Sequence, residues 1–239
     1  MYKDKKCYAI IVAGGQGSRF GGDIPKQFLP LGDMPVIGHS LVAFEQNIHI
    51  DQIVLVVPVD YFDFCTDMVK KLGVSKLKRM VVAGEFRHDS VYNGLLGLNY
   101  TGEEPALVLV HDAARPFVKG ERIDMLLMAS SLYGAATLGL PVTDTIKEVD
   151  KGRFTIVERT LLREKLYAVQ TPQAFYLDKL MTAHEMAQKE RYLGHDDCEL
   201  MEAIGFKPHI LIGCPTNIKI THNIDMALAK IILDQEAKP

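Results

Sequence analysis

Cysteines are few and unpaired: Cys7, Cys65, Cys198 and Cys214 form no CxxC pair and no zinc-ligand spacing. That excludes a disulfide scaffold and a structural zinc ribbon, and scattered thiols fit a reducing compartment. Excess basic charge is also lacking. Lysine and arginine number 27 against 30 aspartates and glutamates, for a formal net charge of −3, which argues against a general nucleic-acid binder or a membrane-surface protein. Any anion site must then be local, built from a few convergent cations. No stretch approaches the length of a membrane-spanning helix. The first apolar run, 8–12, is too short for a signal-peptide core and leads straight into glycines. The expectation is a soluble, cytoplasmic protein. Internal repeats and low-complexity linkers are missing too, so the 239 residues read as one domain, 1–239.

What the chain does have is apolar content, 48% of its residues, enough to bury a substantial core without staples. Short runs rich in Val, Ile and Leu recur at 8–13, 52–58, 79–83, 106–111, 135–142 and 209–213. Their apolarity is continuous rather than alternating, as in parallel strands covered on both faces. Helical segments are expected between them at 35–46, 61–72 (with Asp60 as N-cap), 89–99, 122–131, 177–188, 197–204 and 225–236. This alternation predicts an α/β fold with a mostly parallel sheet flanked by helices. One stretch breaks the rhythm. Residues 145–157 read as a hairpin turning at Asp150-Lys151-Gly152, and Lys147, Glu148, Arg153, Glu158 and Arg159 leave it little apolar face of its own. A lone hairpin is marginal in water, so it packs either on its own domain or on a second subunit.

After the first run comes Gly14-Gly15-Gln16-Gly17-Ser18-Arg19-Phe20-Gly21-Gly22, followed by Pro25-Lys26-Gln27-Phe28. Glycines after a first parallel strand let backbone N–H groups approach phosphate oxygens. The dinucleotide fingerprint fails, because Phe20 stands where its third glycine is needed and no acidic second strand follows. The Walker pattern fails for want of Gly-Lys-Ser/Thr. What remains is a glycine loop carrying Arg19 and Lys26. The two cations either serve a triphosphate whose α-phosphorus gains charge on attack, or they are solvated loop charges. Further on, Asp112 and Arg115 stand just past the 106–111 strand, at the carboxyl edge where open α/β sheets bind ligands. They either recognise a ligand or pair internally before Pro116. His111 reads as a structural histidine bonded to backbone. In His195-Asp196-Asp197 an aspartate capping the next helix is preferred to a metal site.

Taken together, six ordered blocks resemble the cytidylyltransferases acting on 2-C-methyl-D-erythritol 4-phosphate. They are 13–19 with 25–29, 84–91 (Gly-Glu-Phe-Arg-His-Asp-Ser-Val), 110–116 (Val-His-Asp-Ala-Ala-Arg-Pro), 141–147, 170–173 (Gln-Thr-Pro-Gln) and 217–221 (Asn-Ile-Lys-Ile-Thr). One departure stands out: many of these enzymes read Ala-Ala-Gly where this chain has Ala13-Gly14-Gly15. The Ala-Gly-Gly form is similar to the ribitol 5-phosphate cytidylyltransferases of teichoic-acid synthesis. The longer blocks are closer to the methylerythritol group.

The resemblance implies a Rossmann-like nucleotidyltransferase fold and a homodimer whose hairpin, about 143–160, is the dimerisation arm. It implies CTP with Mg²⁺, the metal held mainly through CTP phosphates with no protein ligand named, and a place in non-mevalonate isoprenoid synthesis. Arg19 and Lys26 would stabilise the transition state, and Arg163 and Lys219 would hold the attacking phosphate. Ala13, Gly14, Gly15, Gly17, Gly84, Glu85 and Ser90 would bind CTP. Asp112, Arg115, Thr145 and Thr171 would bind the polyol phosphate. A dehydrogenase is disfavoured by the broken fingerprint. A non-catalytic nucleotide-binding regulator is disfavoured by the retention of all four phosphate-handling cations.

Overall fold

Continuous Val, Ile and Leu strands need cover on both faces, and the chain supplies it from two sets of helices. The computed structural model describes residues 1–15, 20–22, 24–152 and 155–236. In chain order the elements begin β1 (Lys6–Val12), β2 (Pro30–Leu31), β3 (Met34–Pro35), α1 (Val36–Gln46), β4 (Gln52–Val57), α2 (Phe62–Leu72), β5 (Leu77–Val82), α3 (Arg87–Leu96) and β6 (Ala106–Asp112). They continue with α4 (Gly120–Tyr133), β7 (Ala135–Pro141), β8 (Lys147–Lys151), β9 (Thr155–Thr160), β10 (Tyr167–Tyr176), α5 (Leu177–Glu190), α6 (Asp197–Ala203), β11 (His209–Ile212) and α7 (Asn223–Glu236).

Seven strands form the central sheet in the order β11-β7-β10-β6-β1-β4-β5. Its neighbours run parallel except at β10, which is antiparallel to both β6 and β7. Alternate residues of β1 feed two cores. Cys7, Ala9 and Ile11 face α1, α2 and α4 through Ile37, Leu41, Phe44, Cys65 and Leu126. Tyr8 and Ile10 face α3, α5 and α6 through Val91, Leu95, Leu180 and Met201. These side chains are almost wholly removed from water, each stabilising by about 1.5–3 kcal/mol for a large aliphatic one. A third cluster seats α7, through Ala229 and Ile232, on Leu31, Val36 and Phe117.

Three expectations need correcting. Asp60 does not cap α2. Pro58 (φ −60°) opens a 3-10 turn over Val59–Tyr61, so the helix starts two residues beyond Asp60, with Tyr61 at the cap and no side-chain cap bond. α3 starts at Arg87 rather than at 89, because the Asp89 carboxylate reaches back to accept the Phe86 backbone N–H (3.1 Å) and satisfies an orphan donor of the first turn. The sequence also conceals β10. Gln170, Thr171 and Gln173 break its apolar pattern, and Pro172, after a cis peptide bond, removes a ladder donor. The strand tolerates this because its register shifts there against β7, and bulges are where proline is accepted in sheets.

The hairpin forms from β8 and β9, which pair only with each other among the described strands. Every residue of β9 is exposed. Arg153 lies outside the described residues.

Candidate active site

β1 lies inside the sheet between β6 and β4, and residues 13–15 follow it at the carboxyl edge of the sheet. Gln27 secures them. Its buried amide donates to the carbonyls of Ala13 (2.7 Å) and Gly15 (2.8 Å). Opposite stands the segment joining β5 to α3, and the approach is close. A Cβ on Gly14 would lie 2.5 Å from Ala83 Cβ, and one on Gly84 would lie 2.3 Å from Asp89 Cβ. Only glycine lets backbone come together this tightly. The buried Ser90 hydroxyl fastens the wall, accepting the Gly84 N–H (3.0 Å) and donating to the Phe86 carbonyl (3.1 Å).

These segments enclose a cleft of about 530 Å³. Of the residues singled out from sequence, Ala13, Gly14, Gly15, Lys26, Gly84, Glu85, Ser90, Asp112 and Lys219 all line it. Gly17 and Arg19 lie outside the described residues. Thr145 and Arg163 belong to the arm and its base and do not line the cleft of their own chain. Arg163 is exposed and donates to the Thr143 carbonyl (2.8 Å).

The floor is an ion network. Asp112, the last residue of β6, does not pair with the Arg115 side chain. Its Oδ1 accepts from Arg87 Nε (3.0 Å) and its Oδ2 from Lys219 Nζ (2.7 Å). Burial opposes its charge, but Arg87 and then Lys219 outweigh burial and hold the carboxyl far below the usual range. Arg87 reaches on with Nη1 to the buried Asp197 (2.8 Å), which also accepts from His184 Nε2 (3.1 Å). Sequence reasoning assigns no role to Arg87 and reads Asp197 only as a possible cap. Asp196 is the cap, accepting the Glu199 N–H at 2.9 Å.

Behind the floor, Thr171 accepts the Asp112 backbone N–H (3.0 Å) and sits 3.2 Å from His111 Nδ1. His111 Nε2 faces the Arg115 carbonyl at 3.0 Å. A carbonyl can only accept, so Nε2 carries the proton, Nδ1 accepts, and the Thr171 hydroxyl donates to it. Burial pushes His111 down to about 4, leaving it neutral at pH 7 and structural, as expected from sequence. Arg115 donates to the carbonyls of Asn217 (2.9 Å) and Val169 (3.3 Å), and Asn217 donates to the Thr171 carbonyl (2.9 Å). Thr171 and Arg115 therefore meet the site through Asp112 and the segment carrying Lys219, rather than as cleft lining.

The cleft combines a close backbone approach, a lysine on the glycine side and a second lysine held by a carboxylate across from it. That arrangement suits two anionic groups brought together. Among the described residues, no group of three or more His, Cys, Asp or Glu is placed to hold a metal ion, and no helix is long and apolar enough to cross a membrane.

Comparison with known proteins agrees over nearly the whole chain. Residues 7–235 match the family model described as 2-C-methyl-D-erythritol 4-phosphate cytidylyltransferase. A protein of that name from Pelotomaculum thermopropionicum is 42% identical over 229 residues, covering 95% of this chain and 94% of its own. One from Geobacillus kaustophilus is 43% identical over 226 residues, covering 94% and 96%. The crystal structure of 4-diphosphocytidyl-2C-methyl-D-erythritol synthase from Anaerococcus prevotii superposes with a TM-score of 0.84 at 28% identity, covering 97% of both chains. The chain belongs to the 2-C-methyl-D-erythritol 4-phosphate cytidylyltransferase family.

Proposed function

We propose that the protein transfers CMP from CTP to 2-C-methyl-D-erythritol 4-phosphate, yielding CDP-methylerythritol and pyrophosphate for non-mevalonate isoprenoid synthesis. The observation that carries this reading is one cleft, in a chain of this family, where the glycine turn, the Gly84–Ser90 wall and the Asp112–Lys219 floor converge.

A phosphate oxygen of the polyol attacks the α-phosphorus of CTP. The new P–O bond forms as the bond to the β-phosphate bridge breaks, and that electron pair leaves with pyrophosphate. A phosphate monoester has its second pKa near 6, so the nucleophile is already dianionic and needs no general base. The work left to the protein is alignment and charge neutralisation. Ala13, Gly14, Gly15, Gly17, Gly84, Glu85 and Ser90 are assigned to CTP, with Lys26 and Arg19 meeting charge on the triphosphate. Lys219 is assigned to the polyol phosphate. Asp112 serves the polyol, with Thr171 and Arg115 fixing the backbone around it.

Both oxygens of Asp112 already face cations, so this carboxylate is poorly suited to hold magnesium. A magnesium ion carried on the CTP phosphates and water would supply further neutralisation, in keeping with its reluctance to dehydrate.

Arg163 and Thr145 are assigned to the partner subunit's cleft in a homodimer. An uncovered apolar sheet face supports that assembly. Tyr167 and Val169 of β10 and Ile210 and Ile212 of β11 are exposed on the same side of Gly139, where a Cβ would meet Ile210 (3.2 Å) and Tyr167 (3.4 Å). The face adjoins the arm, where Ile156, Val157 and Leu162 are exposed as well. A single-domain enzyme working in the cytoplasm completes the reading. Pyrophosphate release from CTP and Mg²⁺ with methylerythritol phosphate tests it. Lys26→Ala should lower turnover by about 10²–10³ while the fold persists, and a near-normal rate in that variant would remove Lys26 from its role.

A further inference from the structure

Lys219 poses a problem for the reading above, on which the following rests. Its ammonium is already in contact with Asp112 Oδ2 at 2.7 Å. An anion drawn to a lysine held by one carboxylate is drawn at the same time toward that carboxylate, and like charges at such range repel strongly away from bulk water. The structure holds an answer on the other side of Asp112. The Arg87 guanidinium takes Oδ1 through Nε at 3.0 Å, so the carboxylate is neutralised whether or not Lys219 stays.

Arg87 lines the cleft beside Asp112, and the far end of its guanidinium is anchored. Its Nη1 is tied to Asp197 at 2.8 Å. Asp197 is wholly buried and held by His184 Nε2 (3.1 Å), while its own N–H donates to Gln173 Oε1 (3.2 Å). Gln173 in turn grips Asp196 (2.7 Å) and Thr137 (3.2 Å), which fixes the start of α6 to β10 and β7. Two cations, Arg87 and Lys219, thus face two carboxylates, Asp112 and Asp197. An incoming phosphate meets a balanced floor rather than a negative one.

We propose that Arg87 is a positioning residue: anchored on Asp197, it neutralises Asp112 at Oδ1 and so leaves the Lys219 ammonium able to share its donors with the substrate phosphate. Arg87 need not touch the substrate for this. Its planar fork suits the task, since one guanidinium spans both carboxylates where a lysine would reach only one.

Three variants separate charge from scaffold. R87Q removes the cation. R87K keeps a cation but cannot span both partners. D197N unties the anchor from α6 while leaving the Arg87 charge beside Asp112. Steady-state kinetics and calorimetric binding of methylerythritol phosphate are read on each, with thermal melts reporting the scaffold. R87Q should raise the KM and Kd for the polyol phosphate on the order of tenfold, equivalent to about 1.4 kcal/mol, with the KM for CTP within about twofold. R87K and D197N should stay within about threefold for the polyol phosphate, even though D197N melts lower.

Unchanged polyol-phosphate affinity in R87Q overturns the proposal, as does an equal rise in R87Q and D197N, which would mark a scaffold effect. If R87Q does not fold, a tenfold rise in R87K overturns it instead. Wild-type protein that neither binds nor turns over this polyol phosphate overturns the functional reading itself, and the Arg87 role with it.

Discussion

Gly14 is where the chain departs from the Ala-Ala-Gly form common among the enzymes it resembles, and the structure gives a physical reason that can be tested. A Cβ at this position would lie 2.5 Å from Ala83 Cβ and 3.0 Å from Ser90 Oγ. Carbon atoms rest at about 3.5–4.0 Å, so an overlap of about 1 Å or more must be relieved. Neither neighbour yields easily. Ala83 Cβ sits one bond from a backbone whose N–H is bonded to the Val57 carbonyl (2.9 Å), and Ser90 Oγ is held by Gly84 and Phe86. Gly14→Ala should therefore cost about 1–3 kcal/mol, the range for overpacking a tight site. For a chain of this size each kcal/mol lowers Tm by roughly 2–4 °C, so the drop should be roughly 2–12 °C, with a raised KM for CTP. Ala83→Gly removes the opposing methyl at a backbone cost of about 0.5–1 kcal/mol. The double variant should regain stability relative to the sum of the two singles, with a coupling of about 1 kcal/mol or more. Thermal melts and CTP kinetics over the four proteins read this directly. A Gly14→Ala protein with wild-type Tm and CTP affinity, or strict additivity in the cycle, would refute the reasoning.

Gln27→Ala should strip the Ala13 and Gly15 carbonyls of their buried donor, costing about 1–3 kcal/mol and weakening CTP binding, as read by melts and calorimetry. His111, depressed by burial to about 4 from an ordinary 6.5, takes up its proton in the unfolded chain first. Between those values the unfolded state binds more protons, so stability should fall as pH drops from 6.5 toward 4, by roughly 1 kcal/mol per pH unit for this residue. Melts across that window should be visibly flatter for His111→Gln than for wild type. Ile156→Asp with Val157→Asp, on the fully exposed β9, should leave the chain folded but shift light scattering from dimer to monomer and lower activity. An unchanged dimer mass would take the arm out of the interface.

How much was legible in the sequence follows from where information is local. β1, β4, β5, β6, β7 and β11 read directly as apolar runs because helices cover both faces of most of them. β10 does not, although it lies inside the sheet between β7 and β6. Its Gln170 and Gln173 are polar because their side chains satisfy distant backbone and caps, Gln170 at the Cys214 carbonyl (2.9 Å) and Gln173 at Asp196, and nothing nearby announces those partners. The same limit hides the site's floor. Gly14, Gly84 and Ser90 stand in recognisable blocks. Arg87 stands in one too, but its partners Asp112 and Asp197 lie 25 and 110 residues away. A helix expected from 89 would have left Arg87 on a loop, and the Asp89 carboxylate on the Phe86 N–H is what places it on the first turn, facing inward.

The central claim is the reaction and its acceptor. The most direct test supplies CTP and Mg²⁺ with 2-C-methyl-D-erythritol 4-phosphate or ribitol 5-phosphate in separate assays and follows pyrophosphate. Rapid release with methylerythritol phosphate, and little with ribitol 5-phosphate, is the predicted result. Release with ribitol 5-phosphate alone, or with neither, would contradict it.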